Sequence, residues 1–306
     1  MSIVCVGQLV ADIVVRPVNA LPFPGRTTPV EELDILSGGC AANTAAVLAK
    51  LGADARLAAL IGTDAFGDAA LADQVAAGVN VEAVTRGSDV PTSVAIVLVD
   101  DRGQRSFYYR GGSLEAMANR HVPDDFLRSA RIVHVGGAMK MLNLDLAALM
   151  GRARSFGCVT SLDTDWDIYG NWMRLLEGAL PNIDYLITNE EEAVMLAGKV
   201  DPMDAARDLL ACGPKAVAVK RGERGALLAV ANGIFEFPAY RVEVLDTTCA
   251  GDAFVAGFLL GVSEGRPLDE SMRLGNAAGA LCTTRISHRG VVSLEAVNRL
   301  IAEQAE

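Results

Sequence analysis

Apolar residues along this chain fall into short runs that alternate with longer stretches rich in alanine and leucine. The run Ser2–Gly7 (SIVCVG) predicts a first buried strand, and Ala41–Leu51 predicts the first helix. ARLAALIG, from 55 to 62, leads to a helical stretch at Asp68–Ala77. RIVHVGG, from 131 to 137, leads to another at Leu144–Ser155. CVTSLD, YLITN and AVAVKRG are brief apolar strands, each ending at a polar residue or glycine. Helices at Glu190–Ala197 and Met203–Ala211 separate the last two. This alternation predicts an α/β fold with a mostly parallel sheet covered by helices on both faces. Ligands of such sheets bind beyond the carboxyl ends of the strands.

Two regions break the alternation. ADIVVRPV with RTTPVEELDIL, and TSVAIVLVDDRGQRSFYYR, carry the pattern of antiparallel strands, the second with a turn signal at Asp101-Arg102-Gly103. They predict a small β-sheet, 11–36 and 91–112, inserted into one domain that spans 1–306. Such a sheet serves either as a lid over an active site or as an edge that dimerises.

The stretch DTTCAGDAF, from 246 to 254, stands between a strand-like run, Val242–Leu245, and an apolar helical run, Ala253–Val262. The free N–H groups and dipole of a helix N-terminus form an anion site. Ala250 and Gly251 are small enough to let a phosphate approach the backbone. Asp252 in the first helical turn can then take a proton from a hydroxyl that attacks a phosphoryl group. The bland alternative is an aspartate that only complements the helix dipole.

Composition narrows the function. With 51% hydrophobic residues the chain can bury a sizeable core, yet no apolar run reaches the roughly 20 residues of a membrane span. Thr44–Ile61 is interrupted by Lys50, Asp54 and Arg56, and the N-terminus lacks the pattern of a signal peptide. A net charge of −11 without a basic run argues against nucleic acid. Six scattered cysteines with no CxxC pair fit reduced thiols in a cytoplasmic protein. None of the three histidines has metal-ligand spacing to another His or Cys, which argues against a zinc site. There is no P-loop and no G-x-G triplet, so a Rossmann dinucleotide site has no fingerprint.

DTTCAGDAFVAGFLLG resembles the second signature of the ribokinase (PfkB) carbohydrate kinase family, and SGGCAANTAAVLAKLG, from 37 to 52, resembles the first. GQLVADIVV, NEEEA, KRGERGALL and NAAGALCTTR follow the family order over nearly the whole chain. The resemblance implies a ribokinase-like fold with a β lid, ATP and Mg²⁺ as cofactors, and a small sugar as substrate. By the same resemblance Asp252 is the catalytic base, and Cys249, Ala250 and Gly251 supply the anion hole. Cys249 departs from the usual Gly or Ala. Asp246 and Thr248 resemble positions that help hold a monovalent cation such as K⁺; an Asx turn is the alternative. Asn189 and Glu192 match N-x-x-E, which orients Mg²⁺ through water. Gly222, Gly225 and Lys220 match the nucleotide side, and Asn276 the adenine pocket. Asp12, Gly38, Gly39 and Asn43 match the sugar side.

SFYYRGGS, from 106 to 113, looks like the lid segment of sugar-acid kinases and fructokinases. On it, Tyr108 and Arg110 are expected over the substrate, with Tyr109 on the other face. Those relatives carry D-x-N-x-R, where this chain has Asp165 and Asp167 in place of Asn and Arg. Two carboxylates near the pocket predict a neutral substrate, with Asp165 accepting hydroxyl hydrogen bonds. The expected function is a cytoplasmic sugar kinase, dimeric through its lid. The alternatives are a nucleoside kinase and a non-catalytic sugar-binding regulator.

Overall fold

A computed structural model describes residues 2–285 and 292–304. Its strands are β1 (Ser2–Gly7), β2 (Val10–Arg16), β3 (Glu32–Gly38), β4 (Asp54–Gly62), β5 (Asn80–Gly87), β6 (Val94–Val99) and β7 (Arg105–Arg110). They continue with β8 (Ala130–Gly136), β9 (Val159–Asp163), β10 (Tyr185–Asn189), β11 (Ala216–Lys220), β12 (Ala226–Val230) and β13 (Gly233–Phe237). The longer helices are α1 (Cys40–Lys50), α2 (Ala65–Ala76), α3 (Leu146–Ser155), α4 (Glu190–Ala197), α5 (Pro202–Ala211), α6 (Ala250–Ser263), α7 (Leu268–Cys282) and α8 (Leu294–Glu303).

Among the described residues the main sheet has nine strands in the order β13-β12-β11-β10-β9-β8-β1-β4-β5. It is parallel from β11 to β5, and the β12–β13 hairpin turns its far edge antiparallel. The apolar runs read as strands are buried on both faces, because successive side chains point to opposite sides. Ile3 and Cys5 thus enter one core layer and Val4 and Val6 the other; Ala216 and Ala218 are likewise set against Val217 and Val219. Helix α6 is buried along almost its whole length between the sheet, α1 and α7. Gly257 permits this, since a Cβ there would meet the Leu274 carbonyl oxygen at 2.5 Å.

A second sheet has the order β3-β2-β6-β7. Each of the two inserted regions forms an antiparallel pair, and the pairs are joined by a parallel contact between β2 and β6. The sequence patterns anticipated neither β5 nor the β12–β13 hairpin. Conversely, Val242–Leu245 is not a strand. With β13 closing the sheet edge, this segment has no strand to pair with and runs over the surface. It is tied there by Leu245 N–H to the Thr283 carbonyl (2.8 Å) and by Arg241 N–H to Gln304 Oε1 (2.9 Å). No helix among the described residues is long and apolar enough to cross a membrane.

Candidate active site

The carboxyl ends of β1, β8, β9, β10 and β11 point toward the N-termini of α1 and α6. Asp252 lies in the first turn of α6, as its place after a small-residue turn predicts. Its Oδ2 accepts from Asn43 Nδ2 of α1 at 2.8 Å. The N–H of Ala250 donates to the Thr247 carbonyl at 3.3 Å. Those of Cys249, Gly251 and Asp252 find no acceptor among the described residues. The amides left open are thus those of Cys249, Gly251 and Asp252, where the expected set was Cys249, Ala250 and Gly251. Cys249 caps the helix at φ 59°, a left-handed backbone in which a Cβ is strained.

Lys220, at the end of β11, sits at the centre of the charge cluster. Its Nζ donates to Asp163 Oδ1 at 2.7 Å. It also comes so close to α6 that a Cβ on Gly251 would meet it at 3.3 Å. Burial opposes the Lys220 charge, but Asp163 and Glu192 more than offset it, so its pKa rises. Burial also raises Asp252, to about 6, against the pull of Asn43 and Lys220. Asp163, which sequence reading passed over, is raised to about 8 by the same desolvation. It ends β9 directly after Leu162 and leads the stretch compared with D-x-N-x-R, in which sequence reading assigned roles only to Asp165 and Asp167.

Asn189 and Glu192 form a capping box at the start of α4. Asn189 Oδ1 accepts from Glu192 N–H at 2.8 Å, and Glu192 Oε2 accepts from Asn189 N–H at 3.3 Å. Glu192 is buried, and its Oε2 also accepts from Thr164 Oγ1 at 2.7 Å and Thr188 Oγ1 at 3.3 Å. Gly222 and Gly225 turn β11 into β12. Gly225 has φ 82°, and a Cβ there would come within 2.0 Å of the Phe237 carbonyl oxygen. Asn276 is buried on α7 and donates Nδ2 to the Phe237 and Pro238 carbonyls, at 3.2 and 3.1 Å. It thus pins the strand that Gly225 packs against.

Between the two sheets lies a cavity of about 740 Å³. Asp12, Gly39, Asn43, Asp165 and Asp252 all line it. Gly38 stands beside Asp12: a Cβ there would overlap the Asp12 carboxylate, at 2.0 Å. The wall from β7 is the reverse of the expected one. Arg105, Phe107 and Tyr109 face the cavity, while Tyr108 points outward and Arg110 donates to the Thr92 carbonyl at 2.8 Å. Arg105 Nη2 holds Asp246 Oδ1 at 2.5 Å, and Tyr109 Oη donates to Glu115 Oε1 at 2.8 Å. These two contacts fix the parity of the strand.

Asp246 Oδ1 also accepts from Thr248 N–H at 2.8 Å and Thr248 Oγ1 at 2.5 Å. The pair makes the Asx-type turn together with an ion pair from the loop to the small sheet, an arrangement that does not single out a monovalent cation.

The two carboxylates behind the expectation of a neutral substrate are each engaged within the protein. Asp167 turns away from the cavity, and its carboxylate accepts from Tyr169 N–H at 2.8 Å and Trp172 N–H at 2.5 Å. Asp165 is paired with Lys140, and also accepts from Gln8 Nε2 at 2.8 Å and Met139 N–H at 2.9 Å. Lys140 reaches the site from a segment without a motif, and Gln8 from GQLVADIVV, in which sequence reading singled out only Asp12.

A hydroxyl-accepting base beside open helix N–H groups suits phosphoryl transfer, and sequence comparison assigns the lineage. The profile of the "pfkB family carbohydrate kinase" matches residues 1–293. The chain belongs to that family. It is a carbohydrate kinase with the ribokinase fold, and transfers phosphate from ATP to a small sugar or a nucleoside. The kinase is 30% identical over 311 residues to an ATP-dependent ribose-1-phosphate kinase of Halopiger xanaduensis, covering 99% of both chains. It is 33% identical over 258 residues to a cytidine kinase of Thermococcus kodakarensis, covering 78% of this chain and 85% of that one. Arabidopsis thaliana ribokinase, solved with ribose and ATP, superposes with a TM-score of 0.84 at 26% identity over 98% of each chain.

Proposed function

We propose that the kinase phosphorylates a hydroxyl of a ribosyl compound, with Asp252 as the base. The observation that carries this is the position of Asp252. It borders the cavity on one side and the open amides of α6 on the other, and Asn43 fixes its carboxylate. The proton passes from the sugar hydroxyl to Asp252 Oδ as the oxygen attacks the γ-phosphoryl, whose charge the α6 amides stabilise. Asp12, in reach of a diol across Gly38 and Gly39, orients the sugar.

The oxygen donors fit Mg²⁺, which prefers hard oxygen ligands and keeps several waters. Glu192, with Asn189, would hold it through water, and the ion would offset charge on the phosphates. Gly222, Gly225 and the strand pinned by Asn276 border the nucleotide. The six free thiols and the ATP requirement support a cytosolic setting.

Ribose is common to the substrates named for the three relatives. A specific feature favours a nucleoside among ribosyl compounds. Beside the charged Asp12, Arg16, Asp34 and Arg105, the small sheet gives the cavity wall Val14, Val97, Val99 and Phe107, and Trp166 and Ile168 also line it. A free pentose has no surface to place there, whereas a base does. A coupled ADP-release screen of ribose, ribose 1-phosphate, ribonucleosides and hexoses tests both statements. Hexoses turning over faster than every ribosyl compound would overturn the ribosyl reading, and ribose outrunning every nucleoside would overturn the second.

The small sheet acts as a lid, latched by Arg105 to Asp246. The side chains of this ion pair are only 17% and 15% exposed, so water weakens it little. Arg105→Ala is expected to raise KM for the sugar about tenfold, equivalent to about 1.4 kcal/mol, with a smaller change in kcat. An unchanged KM in steady-state kinetics removes the latch.

The outer face of the lid supports a homodimer. In register across its four strands stand Ile35, Ile13, Ile96 and Tyr108, and Ile35, Ile96 and Tyr108 are exposed. An apolar stripe of this kind on a sheet is an association surface. Light scattering is expected to give a dimer for the wild type and a monomer for Ile96→Glu. A wild-type monomer at micromolar concentration would rule the interface out.

A further inference from the structure

Cys40 opens α1 and borders the main cavity. Its Sγ and one carboxylate oxygen each from Asp163 and Asp252 lie within 4.8 Å of one another. The three residues come from separate elements, the start of α1, the end of β9 and the first turn of α6, so the grouping exists only in the folded chain. We infer that this triad binds a borderline or soft divalent cation of the Zn²⁺ or Cd²⁺ class, and that occupancy switches the kinase off. The second half rests on the reading of Asp252 as base.

One thiolate with two carboxylates is a donor set for Zn²⁺ rather than for Mg²⁺, which demands oxygen and sheds its waters reluctantly. Bonds of about 2.3 Å to sulfur and about 2.0 Å to oxygen set tetrahedral donors roughly 3.3–3.5 Å apart. The side chains thus need to close by no more than about 1.5 Å, within reach of small χ adjustments.

The local charge also favours a cation. Four carboxylates, Asp163, Asp165, Asp252 and Glu192, face two ammonium groups, Lys220 on Asp163 and Lys140 on Asp165. Burial raises Asp163 and Asp252, to about 8 and about 6, so any proton on either carboxyl must also leave to water when the ion binds. The Cys40 thiol is raised as well, by burial first and then by Asp252. Binding therefore breaks the S–H bond, forms the S–metal bond and releases the proton to water. Three protein ligands leave a fourth position for water. With its oxygen on the metal, Asp252 cannot receive the hydroxyl proton, so turnover stops. Sugar and metal compete for the same carboxylate.

Two measurements test this. Nucleotide-free protein is titrated with Co²⁺, and the thiolate-to-cobalt charge-transfer absorption is followed. Zn²⁺ inhibition is measured separately, with MgATP in excess, each variant being scaled to its own uninhibited rate. A one-to-one absorption change is expected in the wild type and none in Cys40→Ser. The Zn²⁺ concentration for half inhibition is expected to rise at least about tenfold in Cys40→Ser, since even an outer-shell partner is worth that much. Saturating sugar should raise it in the wild type. An absorption band that survives Cys40→Ser, or equal Zn²⁺ sensitivity in both proteins, overturns the site. The band is read without turnover, so a missing band condemns the metal site alone. Near-normal turnover of an Asp252 variant condemns only the assignment of the base.

Discussion

Asp252→Asn lowers kcat by roughly 10²–10⁴-fold, the usual contribution of a general base, and leaves substrate binding largely intact. The amide keeps the shape of the carboxylate and can still meet Asn43, so the folded structure loses little. What it loses is a site for the hydroxyl proton. The pH dependence has a definite sign. Burial lifts Asp252 to about 6, and only its ionised form accepts a proton. The kcat/KM of the wild type should therefore fall as pH drops through about 6 and level off above it. In Asp252→Asn that inflection should vanish from the residual rate. A mutant within a few-fold of wild type, or one that keeps the inflection, would show that another group is the base.

Lys220→Met removes the cation that contacts buried Asp163, and both stability and rate should suffer. Breaking a buried pair from one side costs about 3–5 kcal/mol, because the remaining carboxylate is left without its partner. Asp163 can take up a proton and cap that cost, since burial already favours its neutral form. Thermal unfolding should shift down by several degrees. The fall in kcat should exceed about tenfold, because Lys220 also stands beside the α6 amides where phosphoryl charge would develop. Pairing the variant with Asp163→Asn separates the two roles: the double variant should regain most of the stability and none of the rate. If the single variant unfolds with the wild type and turns over normally, Lys220 is neither a structural nor a catalytic partner.

The contrast between Arg105 and Asp252 shows what could be read in advance. Asp252 follows a run of small residues and opens a helix, so its place was fixed by local rules of helix termini that need no partner. Arg105 carried no such rule. The strand RSFYYR has large side chains on both faces, so alternation alone gives two equal answers. Distant residues chose between them, since Asp246 draws Arg105 inward and Glu115 takes the Tyr109 hydroxyl.

The same division explains Asp165 and Asp167. Counted along the chain they are two negative charges near a pocket. In space one meets Lys140, from a loop 25 residues earlier, and the other folds back on backbone N–H groups. Whether a charge is solvated, paired or turned away depends on contacts that sequence spacing does not contain.

By itself, then, the sequence determined the parallel α/β core, because strands buried on both faces must be continuous apolar runs and helix N-termini must carry small and capping residues. Only the tertiary structure decided which face of the lid lines the cavity, how the acidic residues are neutralised, and that Cys40 meets Asp163 and Asp252. Those outcomes follow from packing between elements far apart in the chain, where short-range hydrogen-bond and charge geometry sets each side chain's role.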